Sequence, residues 1–436
     1  MNGFMQGLSH RGADGFGAFV SRPGSLEAAQ PIIRRKAMDS RTGSKRCAVR
    51  SRTLLAALAI GAGVGLAWAA GPAIAAPVTL NIVDVAGDLQ LTRDAIEAYT
   101  KKHPELVSKV NFTQAPAPEL PGKLKAMQGA GRSDIDMVLT GTDFLAAGIE
   151  QGLLIKLLPD HAAKFPNLMQ NYLPAAAKMQ ELAQDYGIEV VFMPAGPLLE
   201  YNPAKVQPAP TTPQELLAWC KAHPNRLIYA RPANSGPGRT FIMGLPYILK
   251  DKDPKDPVKG WDKTWAYLKD LDSCIEYYPT GTTAVMKELG EGSRDMTVTM
   301  TGWDLNPRIL GIVPKDYKVV PFQGMTWVND AHYMVIPKGV SPEKVDAVIG
   351  LMQYLLTPEA QAYTYDKGYF YPGPAVKNVP LSMAPKESQE AIKEYGRPEY
   401  DKWLAEFPHT QSLPPAAQVE AFRIWDERVG AKIQKK

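Results

Sequence analysis

The sequence predicts an α/β fold of two lobes, each a mixed, mostly parallel sheet flanked by helices. Three observations carry this. Short β-rich runs alternate with amphipathic stretches from Val78 onward, and a similar alternation resumes after Thr212. Two apolar stretches, 187–202 and 317–337, fit no simple βα unit and read as paired extended runs that pass between the lobes, a connection that permits hinging. About 360 residues follow residue 75, more than one core usually holds. The expected division is a leader over 1–75, a first lobe of 76–200 plus 330–378, and a second of 201–329 plus 379–436.

Each element has a local reason. Residues 79–85 (TLNIVDV) read as a strand, and 89–102 as a helix that stops at His103-Pro104, where proline disfavours helical geometry before it. A strand over 109–114, a helix over 119–127 and a strand over 135–140 follow, and Gly141-Thr142-Asp143 opens another helix. In the second block, Thr212-Pro213-Gln214-Glu215 is a capping box with proline at the first helical position. The strand 226–230, the loop 231–238 and a helix from Arg239 come next. Residues 261–271 are helical, and 296–300 form a strand ending in Thr301-Gly302-Trp303-Asp304. Ser341-Pro342-Glu343 starts a helix whose Val345, Val348, Ile349, Met352 and Leu356 follow helical spacing, and Thr357-Pro358-Glu359 starts another.

The amino terminus reads as a cleavable export signal. Basic residues Lys45, Arg46, Arg50 and Arg52 precede the apolar run 54–70, and Ala73-Ile74-Ala75 supplies an A-x-A site with cleavage before Ala76. The run is shorter than the roughly 20 residues of a spanning helix. Translation from Met38 gives a signal of ordinary length. Cys47 precedes the apolar run and so is no lipid anchor, which makes the processed chain free and soluble. Residues 1–75 hold ten Lys/Arg against three Asp/Glu, or +7 of the chain's +4, so the remainder carries −3. No basic tract remains to argue for nucleic acid. Cys220 and Cys274 survive processing; in an oxidising compartment they either pair or stay as buried thiols.

Catalytic and metal motifs are not found. There is no G-x-S-x-G, no H-E-x-x-H and no CxxC, and the six histidines show no ligand spacing. Gly236-Pro237-Gly238 lacks both the third glycine of a dinucleotide fingerprint and the ending of a phosphate loop. No cofactor or metal is expected. A glycosidase-type carboxylate pair is defined by geometry rather than spacing and stays open, so an exported hydrolase is the competing class.

Candidate binding residues sit at predicted strand ends, where open α/β sheets bind ligands. The loops are Ala86-Gly87-Asp88, Gly141-Thr142-Asp143, Asn234-Ser235-Gly236 and Gly302-Trp303-Asp304, and the second crossover adds Trp327, Asn329 and Asp330. Asp143 also fits a helix cap and Trp303 a core position.

The order of pieces resembles the family 1 extracellular solute-binding proteins of ABC importers, in the branch with spermidine/putrescine- and thiamine-binding proteins. The pieces are DIDMVLTGTDFLAAGIEQGLL, LLEYNPAKV, TTPQELLAW, TVTMTGWD, VNDAHYMVIPKGV and LMQYLLTPEAQAYTYDKGYFYPG. The resemblance implies a periplasmic-binding-protein fold (type II) with a hinge of crossing strands, acting in the periplasm as a monomer. Its partners are a small-molecule ligand and a transmembrane permease with its ATPase. By position it implies first-lobe contacts at Gly87, Asp88, Thr142 and Asp143, and an aromatic wall at Trp303 that attracts alkylammonium groups. Trp327 and Asp330 fall where polyamine binders carry a Trp-x-Asp pair, here spaced by two residues. The loop from Arg231 to Arg239 departs from the acidic pattern of those binders: Ser235, backbone amides and Arg239 at a helix start favour anions. The expected ligand is a cationic or zwitterionic polyamine- or thiamine-like solute, with an anion such as a phosphonate as the alternative.

Overall fold

The protein's structure, a computed structural model, describes residues 76–430. The expected signal, Met38, Cys47 and the Ala75 side of the cleavage site lie outside these residues. The described residues belong to one compact unit that holds two β-sheets.

The first sheet contains β1 (Val78–Asp84), β2 (Val107–Gln114), β3 (Met137–Thr140), β4 (Gly187–Gly196), β9 (Trp327–Val335), β10 (Gly373–Pro374) and β11 (His409–Gln411). Its order is β10-β4-β9-β3-β1-β2, with β11 paired to β9. The second sheet runs β6-β7-β5-β8, from β6 (Leu227–Ile228), β7 (Met296–Thr299), β5 (Leu198–Tyr201) and β8 (Lys318–Pro321). Helices pack on both, so the α/β fold of two lobes holds.

Both sheets are mixed. β1 pairs in parallel with β2 and β3, β11 with β9, and β6 with β7. Every pair that includes β4 or β5 is antiparallel. Antiparallel pairing therefore has a larger share than the βαβ order alone implies, because the crossing strands run back along each sheet. β4, buried along all ten residues, continues through Gly196-Pro197 into β5 of the other sheet. The chain returns from β8 to β9. The two apolar stretches that fit no βα unit are these crossings.

The core is divided the same way. Leu80, Ile82, Val138, Val348 and Met352 lie in a cluster on the first sheet. Leu198, Leu199, Phe241, Trp261 and Trp425 lie in another on the second. The capping box forms as expected: the Thr212 side chain accepts from Glu215 N, and Glu215 reaches back to the N-cap amide. Cys220, near the end of the helix Pro213–Ala222, is disulfide-bonded to Cys274, with their Cα atoms 5.8 Å apart. The pair is thus bonded rather than free.

Of the boundaries that differ from the sequence reading, two bear on the site. The helix expected from Arg239 starts at Gly236, because the Ser235 hydroxyl accepts the Gly238 N–H at 3.1 Å and caps it. Thr301 to Asp304, expected as a strand-end loop, is the first turn of the helix Thr301–Ile309.

One interior carboxyl gives a test of the fold. Both carboxylate oxygens of Glu189, on β4, are buried without a hydrogen-bond partner. Burial pushes its carboxyl well above the usual carboxylate range. A group raised in the folded state favours folding in full below its unfolded value of about 4.3, and loses that contribution as pH rises through its folded value. We expect wild-type stability to fall by up to about 1.4 kcal/mol per pH unit from this group, and Glu189→Gln to remove that slope. Urea unfolding at pH 5, 7 and 9 measures it; a gap between the two proteins that does not change with pH contradicts the assignment.

Candidate functional site

The site begins where β1 ends. Asp84 turns its carboxylate onto the following loop: Oδ1 accepts the N–H groups of Ala86, Gly87 and Asp88 at 2.9, 2.9 and 3.0 Å, and Oδ2 accepts that of Leu89 at 3.1 Å. Gly87 has φ +87°, and a Cβ there would stand 2.4 Å from Tyr369 Oη. The backbone and the packing both require glycine at this point. The loop thereby delivers Asp88 into the interior, where Oδ1 is joined to Nδ1 of His332 on β9 and Oδ2 has no partner.

Burial pushes the Asp88 carboxyl up to about 6, against the pull of His332. Burial disfavours the charged imidazole too, but the Asp88 carboxylate and its hydrogen bond outweigh that and hold His332 above its ordinary value. The Phe370 ring meets the His332 ring edge-on, with centroids 4.0 Å apart.

The second lobe contributes Arg239, from the first turns of the helix Gly236–Ile248. Its Nη2 donates to Asp330 Oδ2 on β9 at 2.6 Å, and its Nη1 lies 3.4 Å from Asp143 Oδ2. Arg239 and Asp330 are both buried. The Nε–H of Arg239 has no partner. Ser235 Oγ also meets Thr282 Oγ1 at 2.8 Å, which ties the starts of Gly236–Ile248 and Thr282–Gly290 together.

Between these groups lies a cleft of about 200 Å³, walled by Asp143 and His332 of the first lobe and by Asn234, Ser235, Arg239, Thr282, Thr283 and Trp303 of the second. Tyr369 and Phe370 close one side, with Trp303 and Tyr369 in an edge-on contact. Three helices begin at this cleft, Thr142–Glu150, Gly236–Ile248 and Thr282–Gly290, each presenting the positive end of its dipole. Among the described residues, no group of three or more His, Cys, Asp or Glu is placed to hold a metal.

Of the residues expected from sequence, Asp143, Asn234, Ser235, Arg239 and Trp303 line this cleft. Asp88, Thr142 and Asp330 stand one layer behind: Thr142 Oγ1 lies 3.5 Å from Asp330 Oδ1, and Asp330 anchors Arg239. Gly87 supports Tyr369. Three expected residues do not reach the cleft. Asp304 is fully buried inside the second lobe, gripped by Arg308, Arg397 and Tyr400, because it sits in a helix turn four residues before Arg308. Trp327 is core, its Nε1 donating to Trp403 O at 3.1 Å. Asn329 faces β11, its side chain 3.1 Å from His409 Nδ1. His332, Tyr369, Phe370, Thr282 and Thr283 were not singled out from sequence. A lone histidine in an apolar strand has no spacing signal, whereas Pro279-Thr280-Gly281 before Thr282 was a readable helix start.

A family model for bacterial extracellular solute-binding proteins matches residues 94–394. No curated protein sequence matches the chain. Among solved structures, the chain is similar to a putative spermidine/putrescine ABC transporter protein from Listeria monocytogenes, at 18% identity and TM-score 0.54, covering 80% of this chain and 98% of that one. It is similar to a periplasmic thiamin binding protein at 14% identity and TM-score 0.57, over 82% of this chain and 97% of that one. The periplasmic binding protein AfuA from Actinobacillus pleuropneumoniae, solved with fructose-6-phosphate, matches at 16% identity and TM-score 0.55, over 80% and 98%. At these identities the likeness establishes the fold.

The Asp88–His332 pair gives a direct test. In the wild type, His332 should titrate above the ordinary value of about 6.5. Asp88→Asn removes the carboxylate that opposes burial, so the His332 pKa should fall from its wild-type value. NMR titration of the imidazole reads both; an unchanged His332 pKa in the variant contradicts the pairing.

Proposed function

Since the chain belongs to the bacterial extracellular solute-binding proteins, we propose that it captures a small organic solute between its two lobes and hands it to the permease of an ABC importer. The observation that carries this is the cleft itself: both lobes wall it, and Arg239 reaches across it to Asp330 and Asp143. A solute seated there touches both lobes, so its binding favours the closed arrangement that a permease would recognise. The crossings β4–β5 and β8–β9 are the hinge in this reading, the chain works as a monomer without catalysis, and export precedes its action.

The charge of the cleft narrows the solute. A polycation needs several free carboxylates. Asp88 is taken by His332, Asp330 by Arg239, and Asp304 by two arginines outside the cleft. Asp143 alone of the expected acids keeps a cleft surface, with its Oδ1 accepting the Phe144 N–H at 2.8 Å. Trp303 and Tyr369 beside it offer aromatic faces to one alkylammonium group. We therefore favour a zwitterion with a single cationic end over a polyamine. The cleft volume of about 200 Å³, below the usual range for drug-sized ligands, favours a compact one.

Calorimetry with polyamines, thiamine, amino acids, aminoalkylphosphonates and sugars tests the proposal. Expected are one-to-one binding, hits recovered chemically unchanged, and an approximately tenfold weaker affinity for amine-bearing hits in Asp143→Asn. No binding across the panel, or steady conversion of a hit, contradicts the transport reading.

A further inference from the structure

Resting on that reading, we propose that the cleft contains a seat for a compact oxyanion, a carboxylate or a tetrahedral phosphono or phosphate group, formed by Arg239, His332 and the first turn of Thr282–Gly290. The helix start supplies N–H groups. Its N-cap is Gly281, which has no side chain to accept them, and the Thr282 hydroxyl is turned to Ser235. The first-turn amides of this nine-residue helix thus meet the cleft with no side-chain acceptor, the usual arrangement for binding an anion.

Two buried side chains at the same cleft point to the same chemistry. Arg239 is only 3% exposed, and its Nε–H has no partner although both terminal nitrogens approach carboxylates. An unmade hydrogen bond on a buried charged group is costly, and the same residue lines the cleft, so its charge is under-compensated where a ligand would sit. His332 is 2% exposed, with Nδ1 occupied by Asp88, and no described residue bonds its Nε2. Gly141 keeps that nitrogen open: a Cβ at position 141 would stand 3.5 Å from His332 Nε2 and 3.2 Å from Asp143 Oδ1.

The acids nearby do not cancel this seat. The charged groups facing His332 are Asp88, Asp330 and Arg239; Asp84 lies behind Asp88, and Asp143 lines the cleft beside them. Asp84 is spent on four backbone amides, Asp88 on His332 and Asp330 on Arg239. What remains toward the cleft is Asp143, shared with Arg239 and the Phe144 N–H, and three donors: an amide turn, the Arg239 guanidinium, and an imidazole that donates when Nε2 is protonated. A zwitterion would lay its cationic end against Asp143 and Trp303 and its anionic end here.

NMR of the imidazole nitrogens in the full chain, titrated with methylphosphonate, acetate and methylammonium, tests the seat. We expect a saturable shift of His332 Nε2 with at least one of the two anions and none with methylammonium; the stronger of the anions identifies a tetrahedral or planar group. Arg239→Lys should weaken the anion at least about tenfold. Because that variant disturbs the Asp330 pair, Gly141→Ala is the companion: its backbone is ordinary at φ −77°, no charge changes, and the anion should again weaken at least about tenfold with an unaltered unliganded Tm. No His332 response to either anion, an equal response to methylammonium, or full anion affinity in both variants overturns the seat. Solute binding in the calorimetric panel would then still stand, so the two failures are distinguishable.

Discussion

The arrangement depends on one buried charge. The Arg239 guanidinium has almost no contact with water, and an isolated charge in such a place costs far more than a domain's net stability. It is tolerated because Asp330 holds one terminal nitrogen at 2.6 Å and Asp143 lies near the other. Both acids belong to the first lobe, on β9 and at the start of Thr142–Glu150, while Arg239 belongs to a second-lobe helix. Solvation of a single charge therefore ties together the two sides of the cleft. Removing one partner would leave the others buried and unpaired, which is much more costly than the pair itself is stabilising.

The same constraint sets the character of the site. Once Asp330 is committed to Arg239, Asp88 to His332 and Asp84 to the loop amides, little negative charge is left facing the solute. The start of Thr282–Gly290 is not neutralised in that way, since Gly281 caps it without a side-chain acceptor and its first turn holds no acid. The cleft is consequently richer in donors than its count of aspartates suggests. Aromatic rings at Trp303, Tyr369 and Phe370 exclude water from one side, which strengthens every charge interaction inside.

Much of the fold was legible in the sequence, because its signals are local. The capping box at Thr212, the helix stop at His103-Pro104 and the strands near Val78, Val107 and Met296 all appear within a few residues of their predicted places. The crossings were legible through long, mainly apolar extended runs that no helix follows at once. The candidate site was legible only in part. Asp143, Asn234, Ser235, Arg239 and Trp303 reach the cleft because strand ends converge there. Asp304 does not, since neighbouring positions on a helix point about 100° apart, which turns it from Trp303 and onto the face of Arg308, a difference that a strand-end reading cannot contain. His332 stayed hidden for the opposite reason: its partner Asp88 is 244 residues away, and only the pairing of β9 beside β3 brings the two together.

In the proposed complex a solute sits between the lobes with its anionic end on the donor wall and its cationic end by the aromatic one. A crystal structure of the protein with a calorimetrically identified solute tests this most directly. Density is expected between Thr283 and Trp303, with an oxyanion within hydrogen-bonding distance of Arg239 or His332 and the cationic group beside Asp143. A solute bound in the groove by Tyr277 and Glu288 instead, or one seated in the cleft with its cationic end on Arg239, would contradict it.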